Sequence, residues 1–383
     1  MKAAIPVILF LSCFCFQSVA QSSVLNTKEK WKLLTGGNEV ERVEAAKDLH
    51  AYYQFESMDS LRMAGEILFF YGIDNHYQPA IEFGKIMLSA FYIMTGRVND
   101  GIVMAKSTLQ ALQERGDPEL LSQVCRIISS GYRKLEDGNS SMLWAKKAIA
   151  YTENNPDPKN PMAGMISLAE AYLLKNQQSE AISTYKSCIS KAIQLKNYHV
   201  LSSSYSRLGD IYRVSQQLDL AEKFFKLSAE AAEKTNLKSP KAHAVNNLAI
   251  VYFERGDTSK ARRYFLDALA IREAINDVKS ISESYYNLGD YHFYLNQTDQ
   301  ALSWYEKSTQ FARKHQLLKE EKDGLLAMAR VYKENQSFDE ATVCLEKAIL
   351  ILSDLKLKQN SIDEELTNLQ FEIWKTDFEQ TKI

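Results

Sequence analysis

From residue 165 onward, apolar positions fall in stripes three or four residues apart, and the whole pattern returns every forty residues. Ala181 is followed at that step by Ala221, Ala261, Ala301 and Ala341. Four residues after each stand Tyr185, Phe225, Phe265, Tyr305 and Leu345; seven after each come Cys188, Ser228, Ala268, Ser308 and Ala348. Upstream, the same step joins Leu168-Ala169, Leu208-Gly209, Leu248-Ala249, Leu288-Gly289 and Met328-Ala329, with Tyr172, Tyr212, Tyr252, His292 and Tyr332 one turn on. Such spacing places the apolar residues on one face of a helix, so each unit reads as two amphipathic helices. Small residues mark where two helices cross closely, and an aromatic fills the gap beside them. Polar turns such as Ser215-Gln216-Gln217 and Arg255-Gly256-Asp257 separate the two helices, and Gly256 suits a left-handed helix cap. A single hairpin of this kind leaves its own apolar face uncovered, so neighbours must stack.

The runs Leu208-Gly209-x-x-Tyr212 with Ala221-x-x-x-Phe225, and Leu248-Ala249-x-x-Tyr252 with Ala261-x-x-x-Phe265, resemble the tetratricopeptide repeat. That unit is usually about 34 residues long, so the extra residues here lengthen both helices. In this respect the chain is similar to kinesin light chains and to Leu-Gly-Asn-type repeats. The resemblance implies an all-α fold, a right-handed superhelical solenoid of stacked antiparallel helix pairs. It is clearest over 165–352 and fainter upstream, where Ile128, Tyr132, Ser141, Ala145 and Ala148, then Leu88, Tyr92, Gly101 and Ala105, keep the step. The array is therefore placed at 85–352, with 21–84 as a degenerate helical region. The Pro-rich stretch Asn154–Pro161 falls between units and reads as an extended loop. In the remaining segment, 353–383, Ile362, Leu366, Leu369 and Ile373 form a helical stripe: either a cap on the last repeat or a short coiled coil that forms a homodimer.

The first twenty residues follow a different logic. Lys2 precedes an apolar run from Ile5 to Phe16 and then Ser18-Val19-Ala20, the small-residue pattern of a cleaved signal peptide spanning 1–20. About a dozen apolar residues are too few to cross roughly 30 Å of hydrocarbon, so the reading is an exported chain, periplasmic or secreted, that does not span the membrane after cleavage. Three cysteines remain, Cys125, Cys188 and Cys344, an odd set without Cys-x-x-Cys spacing, expected as small buried apolar residues. The balance of 46 Lys and Arg against 48 Asp and Glu argues against nucleic acid as partner.

Candidate chemistry is thin. None of the six histidines stands at metal-ligand spacing from another histidine or a cysteine, and the chain has neither a Gly-x-Ser-x-Gly elbow nor a phosphate loop. No cofactor and no catalytic activity are expected. The family resemblance directs attention elsewhere, to the residues that first helices present to the concave groove. Before each Leu-Gly or Leu-Ala pair come Ser167, Arg207, Asn247 and Asn287; one turn later come Glu170, Asp210, Ile250, Asp290 and Arg330. Long-repeat relatives use asparagines in this register to hold a peptide backbone, since one amide offers donor and acceptor together. Arg207, Asp210, Asn247, Asn287, Asp290 and Arg330 are thus the candidate partner-binding residues. Met87 and Ile127 occupy this register earlier, making that end more apolar. The expected function is an exported scaffold that binds a peptide or protein ligand along the groove. The alternative is the sensory component of a signalling relay, acting with a separate kinase or transcription regulator.

Overall fold

The structure, a computed structural model, describes residues 27–56, 58–153, 161–234 and 238–354. The segments 1–20 and 154–160, and all but the first two residues of 353–383, lie outside these. Among the described residues every regular element is helical. In chain order they are α1 (Thr27–Gly36), α2 (Glu39–Glu56), α3 (Met58–Asp74), α4 (Gln78–Thr95), α5 (Val98–Arg115), α6 (Pro118–Lys134), α7 (Gly138–Glu153) and α8 (Pro161–Leu174). There follow α9 (Gln178–Gln194), α10 (Tyr198–Val214), α11 (Leu218–Glu233), α12 (Lys238–Glu254), α13 (Thr258–Ala274), α14 (Val278–Tyr294), α15 (Thr298–Lys314), α16 (Leu318–Glu334) and α17 over 338–354. The forty-residue step is two helices of 17 residues with a three-residue turn after each.

The turns explain why the register holds. A residue with left-handed backbone recurs at twenty-residue intervals: His76, Gly96, Gly116, Glu136, then Asn176, Lys196 and Gln216, then Gly256, Asn276, Asn296, Gln316 and Gln336. After it, the next N–H reaches back across the helix end, as when Gln217 donates to the Tyr212 carbonyl at 2.8 Å and Asp257 to the Tyr252 carbonyl at 2.9 Å. This closes the outgoing helix. The same residue then caps the incoming helix: Asp117, Asp257 and Asp277 accept from backbone N–H groups two or three positions on. One residue thus ends a helix and starts the next, and no slack remains for a shifted length.

Gln216, with φ of 59°, holds a conformation that costs an L-residue with a Cβ about 1–2 kcal/mol. Gln216→Gly is expected to stabilise the protein by about 0.5–1 kcal/mol, after the larger unfolded-state entropy of glycine is subtracted. Urea unfolding checks this; a lowered midpoint would show that the Gln216 side chain contributes more than its backbone costs.

The helices group into two compact units, one running up to Ser204 and the other from Tyr205, with the boundary inside α10. In the first, α4 and α6 are covered nearly all round, including Glu82, Lys85, Gln123 and Arg126. In the second, a core runs from Ala221 and Phe225 through Leu248, Ala249 and Phe265 to Leu288, and a smaller cluster holds Ala301, Tyr305 and Val331. The repeat positions of the sequence carry this core. Gly209 lies against the ring of Phe225 and Gly289 against that of Tyr305, so close that a Cβ on Gly289 would stand 2.5 Å from Tyr305 Cδ1. His292 is buried as a packing residue in the tyrosine register, its Nδ1 2.6 Å from Gln297 Oε1. Cys125, Cys188 and Cys344 are buried and free, and burial raises all three thiols, the first to about 12 and the second to about 11.

Candidate functional site

In the second unit, α10, α12, α14 and α16 are the first helices of successive pairs. Their packing residues, Leu208, Leu248 and Leu288, turn toward the second helices and are buried. Half a turn away, polar side chains connect one first helix with the next. Arg213 on α10 donates to Glu254 on α12 at 2.7 Å. Asn287 on α14 donates from Nδ2 to Asn246 Oδ1 on α12 at 3.0 Å. Arg330 on α16 donates to Asp290 Oδ1 on α14 at 2.9 Å and lies 4.4 Å above the Phe293 ring. Tyr305 also donates to Asp290. Three rungs of this kind make the first-helix face one continuous polar strip.

Each candidate residue has a definite place on it. Arg207 and Asp210 are half-buried on α10. Burial pushes the Asp210 carboxyl above its usual range, against the opposing pull of Arg207 and Arg213. Asn247 is only 7 % exposed and its Nδ2 stands 3.3 Å from His243 Nδ1. His243 is held down at about 4 by burial, then by Arg272 and Arg207, so its ring is neutral at pH 7 and accepts the amide proton. Asp290 is raised by burial and lowered by Tyr305 and Arg330, and its carboxylate is occupied by those two donors. Arg330 is correspondingly raised, chiefly by Tyr305 and Asp290 against the effect of burial.

The strip is wider than the sequence reading made it. His243, Asn246, Glu283 and Tyr286 share the face with Asn247, Asn287 and Asp290. A helix with 3.6 residues per turn presents two columns to a groove rather than one. Their forty-residue partners were available as a signal: 243 aligns with 283 and 246 with 286. The asparagines also have less capacity than isolated amides. Asn287 uses its Nδ2 on Asn246, and Asn247 directs its Nδ2 at His243. Among the described residues, no hydrogen bond reaches Asn247 Oδ1 or Asn287 Oδ1, and none leaves Asn246 Nδ2. Two acceptors and one donor remain open on two neighbouring helices.

In the first unit the same register is apolar at Met87 and Ile127, both buried. Ser167 and Glu170 are buried too, and Glu170 pairs with Arg133 at 3.3 Å. Among the described residues no group of three or more His, Cys, Asp or Glu side chains is arranged to hold a metal ion. No described helix is long and apolar enough to cross a membrane.

Comparison with known proteins agrees with this geometry. The family model described as tetratricopeptide repeat matches residues 200–274 and 241–314. A search of curated protein sequences returns no match. Among solved structures, the quorum sensor NprR from B. thuringiensis is similar with a TM-score of 0.56 at 15% identity, over 85% of this chain and 97% of that one. A Rap protein complexed with Competence and Sporulation Factor is similar at 0.54 and 15%, over 87% and 98%. Aspartyl phosphate phosphatase F from Bacillus subtilis is similar at 0.52 and 15%, over 87% and 96%. At such identities these likenesses speak to fold alone, and the fold they share is a stack of antiparallel helix pairs. With the forty-residue register, the packed pairs and the family match in agreement, residues 200–314 of the chain are tetratricopeptide repeats.

Proposed function

We propose that this protein is a non-catalytic binding module that takes a peptide segment along the first-helix face of its second unit. The observation that carries the reading is the set of open amide edges on α12 and α14. Asn247 Oδ1 and Asn287 Oδ1 accept and Asn246 Nδ2 donates, which suits the alternating N–H and C=O groups of an extended backbone. Adjacent packed helices lie about 8–10 Å apart, close to three residues of extended chain at about 3.3 Å each, so one peptide can reach both helices. The Rap conjugation gene regulator of the plasmid pLS20, solved in complex with the Phr* peptide, has a similar fold (TM-score 0.51, 11% identity), which supports a peptide as the ligand. The quorum sensor among the neighbours supports a sensory role in a relay as the second form of the same reading.

Asn247→Ala combined with Asn287→Ala is expected to weaken binding of a captured partner about ten-fold or more, since each lost hydrogen bond contributes roughly 0.5–1.5 kcal/mol. Asn287 also holds Asn246, so circular dichroism and a melting curve must accompany the affinity measurement. Unchanged affinity in a folded double variant would move the site to the outward faces of α11, α13 and α15.

We further propose export, with removal of residues 1–20. It rests on the apolar run from Ile5 to Phe16 ending in Ser18-Val19-Ala20. Mass spectrometry of the protein from the extracytoplasmic fraction should find Gln21 at the terminus; an intact Met1 there refutes it.

A further inference from the structure

The acidic residues of the strip are not alike in their surroundings. Glu254 is tied to Arg213, and Asp290 to Arg330 and Tyr305. Asp210 on α10 and Glu283 on α14 are half-buried, yet among the described residues neither accepts a hydrogen bond nor forms an ion pair. Arg207 and Arg213 act on Asp210, and Arg272 and Lys279 on Glu283, through their charge and without a direct bond. Arg213 donates to Glu254, and Arg272, itself buried, donates to the Ser280 carbonyl at 3.0 Å and Ser284 Oγ at 2.6 Å. A carboxylate withdrawn from water without a donor is costly, and the cost is recovered when a cation arrives. Between the two acids lies Asn247, more than nine-tenths buried, with its Oδ1 open.

We propose that the ligand is a dibasic peptide, with one cationic group on Asp210, a second on Glu283, and its backbone held at Asn247 between them. This rests on the peptide-binding reading above and specifies its ligand. The spacing follows from helix geometry. Asp210 and Glu283 stand on first helices two steps apart, about 16–20 Å across the face. They are also offset by seven positions within the repeat, about 10 Å along the helix axes. The resulting separation of roughly 20 Å is spanned by about six residues of extended chain. Either end of that span is met by a Lys or Arg side chain, and one end equally by a terminal amine.

Burial raises both carboxyl groups, Asp210 against Arg207 and Arg213, and Glu283 against Arg272 and Lys279. That direction agrees with carboxyl groups whose nearby positive charges do not offset burial and which have no directly bonded donor until a ligand supplies one.

The test uses the full chain, immobilised, and a random nonapeptide library without any presumed sequence. Peptides retained at physiological ionic strength are sequenced, and selected ones are titrated by fluorescence anisotropy against the parent, Asp210→Asn and Glu283→Gln. Both substitutions preserve size and remove only the charge. The expected pool is enriched in Lys or Arg at two positions five to seven residues apart. Asp210→Asn should erase the enrichment at one position and Glu283→Gln at the other, each weakening a selected peptide roughly ten-fold. A retained pool without basic enrichment, or one that both variants keep unchanged, overturns this inference and leaves peptide binding standing. A library from which nothing is retained overturns the peptide-binding reading, and this inference with it.

Discussion

Phe225→Ala is expected to lower stability by about 3–5 kcal/mol, whereas Leu345→Ala, at the same position three repeats later, should cost under about 1.5 kcal/mol. Phe225 has no solvent exposure and packs in the core with Ala221, Leu248, Ala249 and Phe265. Its removal forfeits the transfer free energy of a large ring and leaves a cavity that surrounding helices fill only in part. Leu345 is 43 % exposed on α17, so truncation there deletes little burial and opens no cavity. Denaturant unfolding of the two variants provides the measurement. Similar losses would show that Leu345 is as deeply packed as its repeat equivalents, and the difference in cover between the two positions would be wrong.

The second large effect is overpacking. Gly289→Leu places a Cβ 2.5 Å from Tyr305 Cδ1 and Cε1 before the rest of the side chain is considered. Tyr305 has little freedom to retreat. It is fully buried, and its hydroxyl is fixed between Asp290 and Arg330. A loss of about 1–3 kcal/mol or more is expected, with disruption of the Asp290–Arg330 rung as a secondary consequence. The comparison variant must be chosen with care. A solvated turn position such as Asn296 looks neutral in sequence, but its φ is 56°, and a Leu there costs about 1–2 kcal/mol through the backbone alone. Gln310, exposed and mid-helix on α15, is the better reference. Equal melting temperatures for Gly289→Leu and Gln310→Leu would refute the close approach of α14 to α15.

What the amino-acid pattern reveals and what it hides divide along physical lines. Core positions repeat in type because every repeat solves the same packing problem; hence Gly209 and Gly289 announce the aromatic rings beside them. The left-handed turn residues are legible only where glycine or asparagine occupies them. Gln216, Gln316 and Gln336 adopt the same backbone without any compositional mark, and only the twenty-residue interval identifies them. The polar strip is legible in part. Asn247, Asn287, Asp290 and Arg330 do lie on one face, and the Asp290–Arg330 rung follows the forty-residue step, but the other two rungs do not. Arg213 meets Glu254, and Asn246 meets Asn287, at a separation of 41 rather than 40. Periodicity alone aligns equivalent residues; it does not say which non-equivalent ones touch. For that reason Asn246, half of a rung, escaped a reading that examined its neighbour Asn247.

The twenty-residue turn interval gives the chain a parity. Within the second unit helices alternate between two layers, and each residue's layer there depends on whether an even or odd number of the unit's turns precedes it. An insertion or deletion of forty residues adds or removes a whole repeat and leaves every later helix in its own layer. One of twenty residues would fit the turn geometry equally well, yet it would send every later first helix into the second layer and turn Asn287, Asp290 and Arg330 away from the strip. Local geometry tolerates both changes, and only the two-layer alternation distinguishes them. Length variation among relatives that keep this face should therefore come in steps of forty.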